Sequence, residues 1–362
     1  MIPHSRPTLG ETEANAAREV VLSGFIGQGV HTRRFERALA EYSKRRFAIA
    51  VSSGTAALHL ALLAAQVHTN DEVLIPALVC RAVLNAVLAV GATPVLVDID
   101  TQDLTISSRC ARNAITTKTK AIILPHMFGA PAALDEFTAL GIIVIEDAAS
   151  SIGATFHGQP VGSFGEISVF SFASTKMITS GHGGMLLTNN EQIAQAAKDF
   201  LDYDGTYREQ RGALNYSFGD VPAAIGLVQL QQLEKFLQQR RAIADIYSRT
   251  LVDLDVRLPG ARAGAFHSNY RYILQVQNDS DVITNALRRQ NIDARAQVAH
   301  FLYDYLALPA NLFPVTESIR HTLVSLPIYP SLTDEQVHYI AEVTKNTLLQ
   351  FSSQINTHAR AN

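Results

Sequence analysis

The chain has 362 residues and a formal net charge of −3, with 47% apolar and 17% charged residues. This composition indicates a globular protein of one large or two packed domains, and the charge gives no basic footprint for nucleic acid. No apolar run approaches the roughly 20 residues that span a bilayer, and the N-terminus lacks the apolar core of a signal peptide. We therefore expect a cytoplasmic protein without a nucleic-acid or membrane partner.

Seven short apolar runs alternate with helical stretches between residues 47 and 188. Most of their residues are apolar at consecutive positions, and many are β-branched, which indicates strands buried on both faces. The sequence therefore predicts an α/β fold with a mostly parallel sheet and helices on both sides. The runs are FAIAVS, EVLIP, TPVLVDI, AIILPH, GIIVIED, ISVFSF and GGMLLT.

The pattern changes after this region. Residues 221–250 predict one long helix. Further on, YRYILQVQ predicts a strand and DEQVHYIAEVTKNTLLQF a terminal helix, where Thr333 and Gln336 have the spacing of a capping box. We predict a large domain over residues 1–245 and a smaller α+β domain over residues 246–362.

Four local features at predicted strand ends are candidates for chemistry, because ligand sites in open α/β sheets lie at the carboxyl ends of strands. The first is Ser52-Ser53-Gly54-Thr55, which leads from the first strand into an apolar helix. Backbone N–H groups and hydroxyls at such a helix N-terminus form a phosphate site. The alternative is routine capping of the helix.

The second feature is the acid pair Glu146-Asp147, which closes the fifth run. A carboxylate there is placed to hold a pyridinium N–H, and the alternative is an acid that caps the next helix. The third is Lys176, which follows Ser171 after the sixth run. A lysine among hydroxyl and apolar residues is a candidate reactive amine, and the alternative is a surface lysine.

The fourth feature is the segment Gly181-His182-Gly183-Gly184. Its three glycines imply special backbone torsions or a close backbone approach, and the alternative is a simple tight turn. The two cysteines, Cys80 and Cys110, form neither a disulfide framework nor a metal-ligand spacing, so we expect a reduced compartment and no metal site.

The order of these four features is that of a fold-type I enzyme dependent on pyridoxal-5′-phosphate (PLP). From about residue 15 to 345 the chain resembles the DegT/DnrJ/StrS family of sugar aminotransferases. The resemblance implies a seven-stranded, mostly parallel sheet and a smaller C-terminal α+β domain, with PLP as the cofactor. The segments that carry it are SSGTAALHLAL, IEDAA, VGSFGEISVFSFASTKMITSGHGG, LNYSFGDVPAAIGLVQLQQL and LPIYPSLTDEQVHYI.

The resemblance also implies roles for individual residues. Lys176 forms the Schiff base with PLP and moves the substrate proton, while Asp147 pairs with the pyridine nitrogen. Asn215 matches an asparagine that reaches the cofactor of a neighbouring subunit, which implies a homodimer with shared active sites. The other cofactor contacts fall on Ser53, Gly54, Thr55, Cys80, Ser150 and Ser171.

Two histidines are candidates for substrate contacts. His126, in LPHMFG, matches a family histidine near the cofactor, and the alternative is a strand-end histidine whose hydrogen bonds are satisfied within the protein. His182 stands where the family has a glutamate.

Other positions also depart from the family pattern. Cys80 replaces an aromatic residue that stacks on the cofactor ring, and a thiol covers less of the ring. Ser150 replaces a glutamine, and Ser217 replaces an arginine that is an anion contact for substrate. Because Lys176 and Asp147 are retained, these departures affect the choice of substrate more than PLP binding.

The favoured function is a PLP-dependent transfer of an amino group from an amino acid, by resemblance glutamate, to a nucleotide-linked keto-sugar or related ketone. The product would enter amino-sugar, polysaccharide or secondary-metabolite biosynthesis. One alternative is a PLP-dependent sugar dehydratase, a branch that has histidine in place of Lys176. A second is a non-catalytic or regulatory protein of the same fold. A nicotinamide-binding protein is disfavoured because no GxGxxG follows the first strand.

Overall fold

The computed structural model describes residues 1–202, 213–296 and 299–359, with side chains described as far as residue 351. The strands in chain order are β1 (Phe47–Val51), β2 (Glu72–Pro76), β3 (Leu78–Val79), β4 (Thr93–Val97), β5 (Thr119–Pro125), β6 (Ile143–Asp147), β7 (Thr155–Phe156), β8 (Gln159–Pro160), β9 (Ile167–Ser171), β10 (Gly184–Thr188), β11 (Val256–Arg257), β12 (Ala265–Phe266), β13 (Tyr272–Val276), β14 (His300–Phe301) and β15 (Leu323–Leu326).

The helices in chain order are α1 (Glu11–Ser23), α2 (Val30–Tyr42), α3 (Gly54–Ala64), α4 (Arg81–Ala89), α5 (Ser108–Ala114), α6 (Leu134–Thr138), α7 (Glu191–Leu201), α8 (Asp220–Gln231), α9 (Leu233–Leu251), α10 (Ser280–Arg289), α11 (Leu302–Tyr305), α12 (Pro314–Ser318) and α13 (Asp334–Ala359). Short 3₁₀ turns lie at Met127–Gly129 and Ala310–Leu312. Within the described part of the chain, none of the helices combines the length and apolarity that a bilayer crossing requires.

The seven predicted strands form one sheet in the order β1-β10-β9-β6-β5-β2-β4. Only β10 runs antiparallel to its neighbours in this sheet, and the other pairs of adjacent strands are parallel. The prediction of a seven-stranded, mostly parallel sheet is therefore confirmed.

Helices cover both faces of this sheet. Along β5, Ile123 enters a hydrophobic core that includes residues of α3 and α4, whereas Leu124 enters a core that includes residues of α5 and α6. Successive side chains of a strand point to opposite faces, so a strand covered on both sides must be apolar at consecutive positions. This burial explains the continuous apolar runs in the sequence.

The single helix predicted over residues 221–250 is wrong, because the chain forms α8 and α9 with Gln232 between them. At this junction the side chains of Gln229 and Gln232 both donate to Oε1 of Glu13, over 2.8 and 2.7 Å. Glu13 is buried on α1, far away in the sequence, so the local hydrophobic pattern carries no sign of this contact.

A second hydrophobic core joins α9, α10 and α13 to the small sheet β11-β13-β15. The predicted strand and terminal helix are β13 and α13. At the start of α13, the backbone N–H of Gln336 donates to Thr333 Oγ1 over 3.2 Å, and the N–H of Thr333 donates to Gln336 Oε1 over 3.1 Å. This confirms the capping box. The division between residues 245 and 246 stays a prediction, and it falls within the continuous helix α9.

Candidate active site

The predicted site residues lie along one edge of the seven-stranded sheet. In the strand ladders Pro125 is paired with Asp147, Val51 with Gly184, and Gly184 with Ser171. The carboxyl ends of β1, β5, β6 and β9 therefore lie side by side with the first residue of the antiparallel β10. This is the edge at which open α/β sheets bind ligands.

A cavity of about 460 Å³ opens at this edge. All predicted site residues except Asn215 line it. They are Ser53, Gly54, Thr55, Cys80, His126, Asp147, Ser150, Ser171, Lys176 and His182. Asn215 is exposed, and its Oδ1 accepts a hydrogen bond from Ser217 Oγ over 3.1 Å. The structure thus brings ten of the sequence-predicted residues to one cavity, while their individual roles stay predictions.

The N-terminus of α3 forms one wall of the cavity. Ser53 Oγ accepts a hydrogen bond from the N–H of Ala56 over 3.0 Å, so this hydroxyl caps the helix, as the alternative interpretation held. Gly54 and Thr55 follow as the first residues of the helix, where backbone N–H groups have no partner within the helix. These N–H groups and the positive end of the helix dipole provide an anion site.

Two glycines allow the surrounding segments to approach this helix end closely. A Cβ atom on Gly54 would lie 2.8 Å from Ser171 Cβ, and a Cβ atom on Gly184 would lie 2.3 Å from Ser53 O. Either contact is too short for a real Cβ atom, so only glycine permits this convergence. The resulting cradle presents the hydroxyls of Thr55 and Ser171 beside the helix N–H groups and fits the phosphate of PLP.

The carboxylate of Asp147 lies deep in the cavity. Its Oδ1 accepts a hydrogen bond from the N–H of Ala149 over 3.0 Å, and no described residue donates to its Oδ2. Burial raises the pKa of Asp147, against the opposing effects of the Ala149 hydrogen bond and the nearby charge of Lys176. A cationic ring N–H would offset the cost of burying this carboxylate, so the site fits the pyridine nitrogen of PLP.

The neighbouring carboxylate of Glu146 does not line the cavity but enters a fully buried polar cluster. It accepts hydrogen bonds from the N–H groups of Phe164 and Gly165, over 3.0 and 3.3 Å, and Arg45 Nη2 lies 3.9 Å away. Burial alone would raise the pKa of Glu146, but hydrogen bonds from His126 and from the backbone N–H groups of Gly162 and Phe164 lower it. Glu146 is therefore a structural anion.

The ring of His126 is also fully engaged within the protein. Its Nε2–H donates to Glu146 Oε1 over 2.9 Å, and its Nδ1 accepts from the N–H of Ala132 over 3.1 Å. Only the face of the ring is left for a ligand. The structure therefore favours the alternative interpretation, a strand-end histidine whose two ring nitrogens are both hydrogen-bonded within the protein.

The amine of Lys176 lies in the same cavity as the buried acid, close enough for its charge to act on Asp147. Its Nζ donates to Ser150 Oγ over 3.1 Å and lies 5.2 Å from the centroid of the Tyr270 ring. A neutral hydroxyl and an aromatic face thus hold the amine inside the cavity. Ser150, which replaces the glutamine of the family motif, has a direct contact here with the predicted Schiff-base lysine.

Tyr270 and Arg271 also line the cavity beside Lys176, although no sequence motif marked either as a site residue. They are the first two residues of the predicted strand YRYILQVQ, and β13 itself begins at Tyr272. The backbone N–H of Arg271 donates to the carbonyl of Phe128 over 3.0 Å, which fixes this segment against the turn after β5. No local sequence signal could have identified these residues, because the contact joins distant parts of the chain.

Comparisons with known proteins agree with this geometry. The model of the DegT/DnrJ/EryC1/StrS aminotransferase family matches residues 7–345. The GDP-perosamine synthase of Escherichia coli O157:H7 is 34% identical over 355 residues, covering 94% of this chain and 97% of that protein. The crystal structure of the aminotransferase TlmJ from Streptoalloteichus hindustanus matches with a TM-score of 0.91 and 29% identity, covering 97% of this chain and all of that one (100%).

A putative sugar aminotransferase from Streptococcus pneumoniae, solved in its PLP form, matches with a TM-score of 0.88 and 26% identity, covering 97% of this chain and 99% of that one. The phosphate-sized cradle, the buried carboxylate and the lysine amine in one cavity fit the same cofactor. A non-catalytic relative and a dehydratase are both disfavoured by this agreement. The chain therefore belongs to the DegT/DnrJ/EryC1/StrS aminotransferase family and is a PLP-dependent aminotransferase of fold type I.

Proposed function

We propose that this aminotransferase moves an amino group from an amino acid, with glutamate as the donor, to the keto group of a nucleotide-linked sugar. The observation that carries the proposal is the single cavity that contains both Lys176 and Asp147, in a chain 34% identical to a protein named GDP-perosamine synthase. The amino sugar formed would serve the biosynthesis of a polysaccharide or a secondary metabolite.

The depth of the cavity supports two substrates that bind in turn. Asp147 at its inner end is 8% exposed, whereas Cys80 and His182 in its lining are exposed. With the cofactor ring held at Asp147, a small amino acid reaches Lys176, and a larger sugar approaches from the rim formed by Cys80 and His182. Since both rim residues depart from the family pattern, we expect them to contribute to the choice of acceptor.

The residues of this chain divide the chemistry between them. When bound, PLP supplies an electron sink for the charge left when an amino acid loses its Cα proton. Asp147 holds the proton on the ring nitrogen, and the helix end at Gly54 and Thr55 binds the phosphate. Lys176 Nζ takes the Cα proton and returns it during the transfer, while Ser150 Oγ orients the amine.

The test of the proposal is the visible absorption of the PLP-loaded protein before and after addition of glutamate. We expect the absorption of the lysine-bound cofactor to disappear with glutamate and to return with a nucleotide-linked keto-sugar. The variant Lys176→Ala should lack that absorption and the turnover while keeping the fold. Absorption that ignores glutamate and every other amino donor, or an unchanged spectrum in Lys176→Ala, would contradict the proposal.

We also propose that the protein acts in the cytoplasm as a homodimer with shared active sites. Asn215 is exposed and outside the cavity of its own chain, so its side chain is free to enter the site of another subunit. The apolar side chains of Leu22, Phe25 and Ile26 are 67%, 83% and 58% exposed, which is typical of a surface that another chain covers.

Mixed dimers test this arrangement. Chains carrying Lys176→Ala and chains carrying Asn215→Ala are each expected to be impaired alone. If Asn215 serves the neighbouring site, a mixed dimer contains one site with both residues intact. Random assortment of equal amounts makes about half of the dimers mixed, so mixing should restore activity toward roughly a quarter of the native level. No recovery on mixing, with dimers present by light scattering, would mean that Asn215 acts elsewhere.

A further inference from the structure

Arg271 is a cation in the cavity wall to which the proposed reaction gives no task. Among the described residues that line the cavity, the charged side chains are Lys176, Arg271 and Asp147, so positive charge is in excess there. None of the ion pairs formed by the described residues includes Arg271. A partly buried guanidinium without a carboxylate partner is unusual, because arginine is normally paired when it leaves water.

The guanidinium of Arg271 is hydrogen-bonded to His4, a histidine near the N-terminus. Arg271 Nη1 donates to Nδ1 of His4 over 2.6 Å, and Nε2 of His4 lies 2.8 Å from Ser325 Oγ. Burial, together with the charges of Arg271 and Arg295, lowers the pKa of His4 to about 3. A neutral imidazole therefore orients the guanidinium without neutralising its charge.

The backbone on both sides of this arginine is fixed as well. The N–H of Arg271 donates to Phe128 O and the N–H of Ser268 donates to Gly129 O, each over 3.0 Å. A Cβ atom on Gly129 would lie 2.9 Å from the backbone nitrogen of Tyr270, so the two segments pack closely only because this residue is glycine. The position of the guanidinium is thus set before any ligand binds.

Arg271 and Lys176 flank the same aromatic ring. The guanidinium carbon lies 5.1 Å from the centroid of the Tyr270 ring, and Lys176 Nζ lies 5.2 Å from it. The two cationic groups are therefore separated by no more than the sum of these distances, which a dicarboxylic amino acid can span. No described residue accepts a hydrogen bond from Nε or Nη2 of Arg271, and these two donors match the two oxygens of a carboxylate.

We propose that Arg271 binds a carboxylate of the amino-acid donor through Nε and Nη2, with His4 as the residue that positions it. The proposal rests on the proposed function and adds the group that recognises the donor. The other oxyanion that an aminotransferase of this kind would meet is the phosphate of its acceptor. The donor is favoured because its reacting nitrogen must lie at Lys176, next to the ring that Arg271 flanks.

The experiment compares Arg271→Gln, Arg271→Lys and wild type in the PLP-loaded protein. The first half-reaction is followed from the loss of visible absorption at increasing glutamate concentration. Calorimetry measures the binding of glutarate, which has both carboxylates but no amine, and separately of inorganic diphosphate. Arg295→Gln is the matched control, because the charge of Arg295 also acts on His4, but Arg295 pairs with Asp293 and does not line the cavity.

We expect Arg271→Gln to raise the half-saturating glutamate concentration and the glutarate dissociation constant by about tenfold to a hundredfold, the worth of a charged hydrogen bond. Arg271→Lys should recover part of the loss, and Arg295→Gln should match wild type. His4→Ala keeps the guanidinium but removes the hydrogen bond that orients it, so we expect a smaller loss of glutarate binding in this variant. This variant also keeps the proposal testable if Arg271→Gln fails to fold.

Unchanged glutamate dependence and glutarate binding in folded Arg271→Gln would overturn the inference. A variant that loses affinity for diphosphate but not for glutarate would also overturn it, since Arg271 would then serve the acceptor. The proposed function fails in a different way, because wild type would then react with no amino acid. Glutarate binding that depends on Arg271 would still support the carboxylate site in that case.

Discussion

The two adjacent acids at the end of β6 have opposite chemical properties. Burial raises the pKa of Asp147, whose second oxygen has no donor among the described residues. Hydrogen bonds lower the pKa of Glu146, which sits in a cluster with Arg45 and His126. Since both are carboxylates in consecutive positions of one strand, only their surroundings separate a group ready for a cation from one that is already satisfied.

The first prediction concerns Asp147→Asn. A folded-state pKa above the ordinary value of 3.8 means that the ionised carboxylate costs stability as pH rises through that folded pKa. At neutral pH the PLP-free variant should therefore be as stable as wild type, or more stable, in urea unfolding. Its affinity for PLP should fall by roughly tenfold to a hundredfold, because the charged hydrogen bond is lost. Wild-type affinity in a fluorescence titration would show that Asp147 does not face the ring nitrogen.

The second prediction concerns Glu146→Ala. The substitution leaves Arg45 buried without its carboxylate and removes the acceptor of several backbone N–H groups. We expect the free energy of unfolding to fall by about 3–5 kcal/mol, as for other broken buried pairs. Glu234→Ala, at an exposed position, is the control and should change stability by less than about 0.5 kcal/mol. Similar midpoints for both variants in urea would remove the structural role from Glu146.

Between elements, the phosphate cradle depends on how closely α3 approaches the ends of β9 and β10. The missing side chains of Gly54 and Gly184 leave the space in which Ser171 and the backbone of Ser53 lie. The cradle is therefore a property of the packing of three elements, although each contributes only one or two residues to it.

The third prediction is that Gly54→Ala weakens PLP binding. Its Cβ would displace Ser171, and overpacking of this kind costs about 1–3 kcal/mol. We expect a loss of PLP affinity of roughly five- to a hundredfold in an absorbance titration, since about 1.4 kcal/mol is a factor of ten. Gly260→Ala is the matched control, because its Cβ would meet only Gln102 O, at 3.8 Å. Equal affinities in the two variants would mean that the close approach does not shape the cradle.

Across the whole molecule, the N-terminal residues close against the C-terminal part of the chain. The N–H of Ile2 donates to Asn291 O over 2.7 Å, and the N–H of Asp293 donates to Ile2 O over 2.9 Å. His4 follows between Arg271 and Ser325. Residues from both ends of the sequence are thus required to hold the arginine in the cavity wall.

The fourth prediction is a loss of stability in mild acid. Burial lowers the pKa of His4 to about 3 and that of His267 to about 4, from an ordinary value of 6.5. Their contributions are complete above pH 6.5 and are lost as pH falls toward the folded-state values, because the unfolded chain then binds more protons. Each should remove up to about 1.4 kcal/mol per pH unit below 6.5.

Urea unfolding between pH 5 and 7 measures this loss. His4→Asn should reduce the pH dependence by the share of one histidine. His68→Asn, at an exposed position, should leave the dependence unchanged. If His4→Asn has the same slope as wild type, His4 is not the neutral buried group that the structure describes.

The sequence by itself determined the seven strands and placed Lys176, Asp147 and Ser171 at one edge of the sheet. These features depend on local properties. Burial on both faces requires apolar residues at consecutive positions, and each of the three site residues lies at or shortly after the end of such a run. A parallel sheet aligns those ends, so the proximity of the three residues can be predicted without their side-chain contacts.

Only the tertiary structure decided the rest. The opposite pKa shifts of Glu146 and Asp147 follow from burial and, for Glu146, from hydrogen-bond donors in other segments of the chain. The break at Gln232 and the support of Arg271 by His4 depend on partners 219 and 267 positions away. The physical reason is common to all three: desolvation and hydrogen bonding are set by which distant residues pack together, and a local pattern of apolar and polar residues does not carry that information.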